Sequence, residues 1–134
     1  MAFNDLITIV KGDNYSIFVN QQKNRVYLTL VGYWQSPSDF TDYLDAINCV
    51  LGKVTKDFTI LVDMTRYSGS AYELNDIHIR AQKLSIEAGV KRIAEVIPAN
   101  PLIKMLSEVY SKKSGALPMT FNDIHHAERW LDLY

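Results

Sequence analysis

Cys49 is the one cysteine in the 134 residues, so an intrachain disulfide and a multi-cysteine zinc site within one chain are both excluded. Long hydrophobic runs are also missing. The apolar stretches are short and strand-like, far below a membrane span, and the N-terminus lacks the basic-then-apolar order of a signal peptide. A cytoplasmic location is the expectation. Nor does charge of one sign dominate: fourteen basic against fifteen acidic residues give a net charge of -1. Residues 1–70 carry six basic and seven acidic side chains, and residues 71–134 carry eight of each. With no basic half, the chain has no electrostatic signature of a nucleic-acid binder. Glycine (six) and proline (four) are sparse and sit singly at the ends of periodic segments, so no linker, low-complexity tract or repeat divides the chain. One domain over residues 1–134 is expected, and 48% hydrophobic residues suffice for one buried core.

Leu6 to Val10 is β-rich, and Tyr15 to Asn20 and Arg25 to Val31 alternate in polarity, with Gln21 to Asn24 as a hairpin turn between them. Ser36-Pro37-Ser38-Asp39 supplies caps and a first-turn proline, and Phe40, Leu44, Ile47, Leu51 and Val54 follow at helical spacing. Phe58 to Val62 is an almost wholly apolar run, the mark of a central strand covered on both faces, and Asp63 marks its end. Leu74, Ile77, Ala81, Leu84 and Ala88 form a second helical stripe closed by Gly89. Arg92 to Ile97 reads as a strand, and Asn100-Pro101 opens a third helix that runs to Gly115. Pro118 to Phe121 reads as a short edge strand, and Asn122 caps a last helix carrying Ile124, Ala127, Trp130 and Leu131. The order β-β-β-α-β-α-β-α-β-α requires crossovers, which make the later strands parallel while the N-terminal hairpin adds antiparallel ones. The predicted class is an α/β sandwich, a mixed β-sheet with about four helices.

The hairpin ending in Gly32, the strand Ile60-Leu61-Val62-Asp63-Met64-Thr65, the Ser68-Gly69 pair ahead of helix two and the terminal Ala127-x-x-Trp130-Leu131 together resemble the STAS superfamily, named for sulfate transporters and anti-sigma factor antagonists. The resemblance is greatest to its stand-alone SpoIIAA-like branch and spans nearly the whole chain. It implies a single SpoIIAA-like domain and, from the antagonists, a serine at the start of helix two that a partner kinase phosphorylates. This sequence departs from that pattern: Tyr67 stands before Ser68-Gly69 where the antagonists carry an acidic residue. Related members resemble lipid-binding Sec14-type domains, which implies a second role, binding of a lipid or small apolar ligand.

In an open α/β sheet the loops after the strands gather at the carboxyl edge beside helix N-termini, where ligands and anions bind. Asp63, Thr65, Arg66, Ser68, Gly69 and Ser70 form the candidate phosphosite or interaction loop there, with Arg66 as a phosphate partner. The alternative is plain structure: Asp63 satisfies loop backbone, and Ser68 or Ser70 caps helix two. Tyr33, Trp34 and Asn100 complete this edge, the two aromatics either covering the core or meeting a partner. On helix two, Tyr72, Ile79 and Ile86 lie opposite the first apolar stripe and predict a dimer or partner surface. His125, His126 and Glu128 do not make a metal site, because adjacent histidines diverge and no third ligand can be named. Cys49 has no catalytic histidine tied to it, and no base–nucleophile pair, glycine-rich phosphate loop or nucleophile elbow is visible. The expectation is therefore a non-enzymatic protein-interaction module without a cofactor, with ligand or lipid binding as the alternative and a hydrolase as a weaker third.

Overall fold

Alternating residues with a turn between them close into a hairpin, and here the hairpin begins the sheet. In the computed structural model, which describes residues 6–133, β1 (Leu6–Lys11), β2 (Tyr15–Asn20) and β3 (Arg25–Trp34) pair antiparallel. Asn24 takes the left-handed conformation (φ 55°) in the β2–β3 turn, which asparagine tolerates better than most residues. The chain then alternates: α1 (Tyr43–Leu51), β4 (Thr59–Ser70), α2 (Asn75–Glu87), β5 (Arg92–Val96), α3 (Pro101–Ser114), β6 (Met119–Phe121) and α4 (Ile124–Asp132). The sheet order is β1-β2-β3-β4-β5-β6, with β3 to β6 all parallel, so the predicted α/β class holds.

Period-two alternation divides β4 between two cores. Ile60, Val62 and Met64 face the larger one, under α1, α2 and α3, while Leu61 joins Ala94, Val96, Ala127 and Leu131 beneath α4. Trp34 is wholly buried in the larger core and stacks on Phe40 at 4.1 Å. It is therefore the last residue of β3 and a core side chain, not part of a carboxyl-edge loop.

Several helix boundaries differ from the sequence expectation. Pro37–Phe40 forms a 3-10 turn ahead of α1, which ends at Leu51 and leaves Val54 outside. Asn100 does cap α3, its Oδ1 accepting from Leu102 N at 2.9 Å, and Pro101 occupies the first helical turn. Helix α4 is capped by Asp123 instead of Asn122. Glycines at positive φ follow α2 (Gly89, 93°) and α3 (Gly115, 87°), as their spacing predicts.

Candidate functional site

The largest departure from the sequence expectation is the length of β4. The strand does not stop at Asp63 but continues to Ser70, so Asp63, Thr65, Arg66, Ser68, Gly69 and Ser70 lie on a strand and not in a loop. Two bulges allow this. Between Asp63 and Arg66 the strand spends three steps against two in β3, and between Tyr67 and Gly69 two against one. Asp63 Oδ1 accepts from Thr65 N at 3.0 Å and from Thr65 Oγ1 at 2.7 Å, which satisfies the first bulge locally. Gly69 sits at φ +112° in the second, where a side chain would be strained. The bulges re-aim the side chains around them: Thr65, Arg66 and Ser68 are exposed, while Tyr67 turns inward. A 3-10 turn (Tyr72–Leu74) separates the strand from α2, so neither Ser68 nor Ser70 caps that helix.

Ser70 instead belongs to a buried hydroxyl network. Its Oγ lies 2.5 Å from the Tyr67 hydroxyl and 3.1 Å from His78 Nε2. The Tyr67 hydroxyl also reaches His78 Nε2 at 3.2 Å and the Tyr110 hydroxyl at 3.1 Å, and Tyr110 donates to Asn75 Oδ1 at 2.8 Å. Strand β4 is thereby tied to α2 and α3. The His78 ring stacks on Tyr110 at 5.0 Å and lies 4.6 Å from Trp34. Burial holds its pKa down at about 3 and pushes the hydroxyls of Tyr67 and Tyr110 up, so all three are neutral at physiological pH. The serine–histidine distance is that of a nucleophile and its base, a pairing the sequence did not reveal. However, among the described residues no carboxylate hydrogen-bonds to His78 to orient its ring.

Sequence reasoning set His78 aside as a metal ligand, being distant in the chain from His125 and His126, and did not pair it with Ser70, although a signal existed. The histidine stands four residues after Leu74 and three before Ala81, inside the buried stripe of α2, where a polar side chain needs partners. Below it, a cavity of about 60 Å³ lies between the sheet and helices α1 and α2, bordered by Ile47, Val50, Ala81, Glu95 and Tyr110. That is space for roughly one or two waters. Glu95 is buried and accepts from Ser107 Oγ at 2.5 Å, and burial raises its pKa.

The carboxyl edge also carries apolar surface. Along α3, Leu102 (47%), Met105 (50%) and Val109 (37%) are exposed at spacings of three and four, and Leu106 beside them is half-buried. The space a side chain at Gly69 would fill lies 3.6 Å from Leu106 and 3.8 Å from the Tyr33 ring, so the exposed Tyr33 continues this strip onto the sheet. Tyr72, 86% exposed, projects from the turn before α2. The second stripe expected on α2 is not one continuous surface: Ile86 is exposed, but Ile79 is 7% exposed and packed inside. A helix between two neighbours buries more than one face, and that is the physical reason its opposite side is not simply surface.

On the other face of the sheet, Arg25 is buried and bonds Thr59 Oγ1 at 2.8 Å, Asp132 at 2.8 Å and Glu128. Lys23 reaches the same two carboxylates, and Tyr27 donates to Glu128 at 2.9 Å. This cluster ties α4 to the sheet. Among the described residues, no group of three or more His, Cys, Asp or Glu side chains is placed to hold a metal ion, and no helix is long and apolar enough to cross a membrane.

This chain is similar in structure to an uncharacterized protein of the DUF3478 family from Shewanella loihica PV-4, described as having a SpoIIAA-like fold. The two superpose with a TM-score of 0.59 over 91% of this chain and 98% of that one. The fold is SpoIIAA-like. Sequence identity over the match is 17%, so the likeness concerns the fold alone. No family model matches the chain, and no curated protein matches it. The segment expected to be a phosphosite or interaction loop is a bulged strand end, with Ser70 turned into the core network and Ser68 exposed.

Proposed function

We propose that this chain is a non-enzymatic, cytoplasmic protein-interaction module with a regulatory role, which docks a protein partner on the apolar strip of α3 and the Tyr33 end of β3. The observation that carries the reading is the exposure of Leu102, Met105 and Val109 in line beside Tyr33. Such a strip is costly in water and is worth retaining where another surface covers it. The small cavity, and the Tyr67 hydroxyl that holds both Ser70 Oγ and His78 Nε2, favour a module over an enzyme.

A photo-crosslinking amino acid placed at Met105 tests this in the native host, with the same probe at Arg129 on the far side as control. A defined protein adduct at 105 and none at 129 is expected, either a homodimer or a second protein. A chain that stays monomeric at high micromolar concentration by light scattering and forms no adduct at 105 would remove the proposal. The alternative, a small apolar ligand or lipid held beneath the same edge, requires the cavity beside Ile47 and Ala81 to widen well beyond its present volume. Native mass spectrometry of the purified protein would then show a copurifying ligand mass.

A further inference from the structure

The fold sorts charge in a way the sequence halves conceal. Parallel strands β4, β5 and β6 all begin at one edge of the sheet, and the segments leading into them lie side by side there. Asp57 N donates to Gly89 O at 2.9 Å and Lys91 N to Phe58 O at 2.7 Å, joining the segments before β4 and β5. A shallow groove of about 180 Å³ then joins Lys91 and Arg92 to Gly115, Ala116 and Leu117, ahead of β6. Lys53, Lys56, Lys91, Lys112 and Lys113 are all exposed along this amino edge, against the exposed acids Asp57, Glu87 and Asp132, the last of which is paired with Lys23 and Arg25. At the opposite edge the exposed acids Asp13, Asp39, Asp42, Glu73 and Asp76, around the β1–β2 turn and the N-termini of α1 and α2, outnumber the exposed bases Lys11, Arg66 and Lys104.

A second feature lies inside the basic edge. Leu117, the tip of the loop after α3, is 92% exposed, more than any other large apolar side chain described, and Ile86 borders the same groove at 40%. An apolar tip that shares its groove with Lys91 and Arg92 and follows Lys112 and Lys113 by four to five residues is unsuited to nucleic acid, whose phosphates pair with charge but leave a leucine in water. It suits a lipid headgroup layer, where apolar groups enter the acyl boundary and lysine stems extend back to the phosphates.

We infer that the amino edge docks on an anionic membrane surface, with Leu117 as the inserted tip and Lys56, Lys112 and Lys113 as the phosphate contacts. The protein lies on the bilayer and does not span it. The docking leaves the carboxyl edge, with Tyr33 and the Leu102 end of α3, facing away from the lipid and open to a protein. This inference is independent of the proposed protein partner, since the two surfaces are tested by different variants: Leu117 and the lysines lie outside the strip, and Leu102, Met105 and Tyr33 lie outside the lipid contacts.

Sedimentation with vesicles of phosphatidylcholine alone, and of phosphatidylcholine mixed with phosphatidylserine, provides the test. Wild-type protein should pellet with the anionic vesicles only, and high salt should release it. Lys112→Gln with Lys113→Gln should weaken partitioning about fivefold per lysine, and Leu117→Ser by about tenfold. All three positions are exposed, so circular dichroism should show these variants folded. Cys49→Ser with Leu117→Cys, labelled with an environment-sensitive dye, should shift its emission to the blue on adding anionic vesicles. Equal pelleting with both vesicle types, no pelleting with either, or a Leu117→Ser variant that binds like wild type would overturn the inference. So would duplex DNA that competes fully with the vesicles while the dye at position 117 stays in water.

Discussion

Ser70 Oγ lies 3.1 Å from His78 Nε2, across the turn that joins β4 to α2, and the two are enclosed by Tyr67, Tyr110 and Trp34. The pair fastens a bulged strand end to a helix. Its consequence is that two neighbouring serines, chemically alike in the sequence, should behave differently when changed.

Ser70→Ala should destabilise the protein by about 1–2 kcal/mol, because the Tyr67 hydroxyl and His78 lose a partner in a buried setting. Ser70→Asp should cost more, since a carboxylate would enter among groups held neutral by burial. The exposed Ser68 should accept Ala or Asp within about 0.5 kcal/mol. Urea unfolding of the four variants checks the ranking. Phosphorylation at Ser70 thus requires the network to open, whereas Ser68 is accessible as it stands.

His78 should make the protein acid-sensitive. Its pKa is about 3 in the folded state, below the ordinary value near 6.5 of an unfolded chain. Between those values the unfolded state binds the proton and the folded state does not, so stability falls as pH drops from about 6.5 toward 3. The loss from this group between pH 7 and pH 4 is on the order of 3 kcal/mol. Asp132, whose pKa Arg25 and Lys23 hold down, adds a smaller loss of the same sign, confined to pH below about 4. Denaturation midpoints for wild type and His78→Gln across this range should show a shallower pH dependence in the variant.

Arg25→Ala should cost about 3 kcal/mol, because Arg25 is buried and its removal leaves Tyr27 and Thr59 without their guanidinium and α4 without its main tether. Lys23→Ala, at the exposed rim of the same cluster, should cost less than about 1 kcal/mol. Thermal melting of both variants, compared with protease susceptibility at the α4 end, distinguishes a tether from a decorative ion pair.

Ile79→Glu should unfold or severely destabilise the protein and not simply change its assembly, since the side chain is only 7% exposed. Tyr72→Glu and Ile86→Glu sit at exposed positions and should fold within about 0.5 kcal/mol of wild type. Light scattering on these two variants therefore reports on self-association through α2 without the confusion of lost folding.

The class of the fold was legible in the chain because hydrophobic periodicity and end signals are local. Alternation in Arg25 to Val31 makes β3, the apolar run Phe58 to Val62 makes the centre of β4, and Asn100-Pro101 starts α3 where the caps require. The order of those elements implies a mixed-sheet α/β sandwich, and the SpoIIAA-like arrangement entered through the resemblance carried by Ile60 to Thr65, Ser68-Gly69 and Ala127-x-x-Trp130-Leu131. Only tertiary structure decided the relations between residues far apart in the chain or masked by local polarity. Asp63 read as the end of a strand and Thr65 as loop, yet a bulge that satisfies both lets β4 run to Ser70. Ile79 read as surface until packing around α2 closed over it, and His78 acquired its partners only when β4, α2 and α3 met. The lysines of residues 53, 56, 91, 112 and 113 belong to balanced halves of the chain, and they become one basic edge because parallel strands bring every preceding segment to the same side of the sheet.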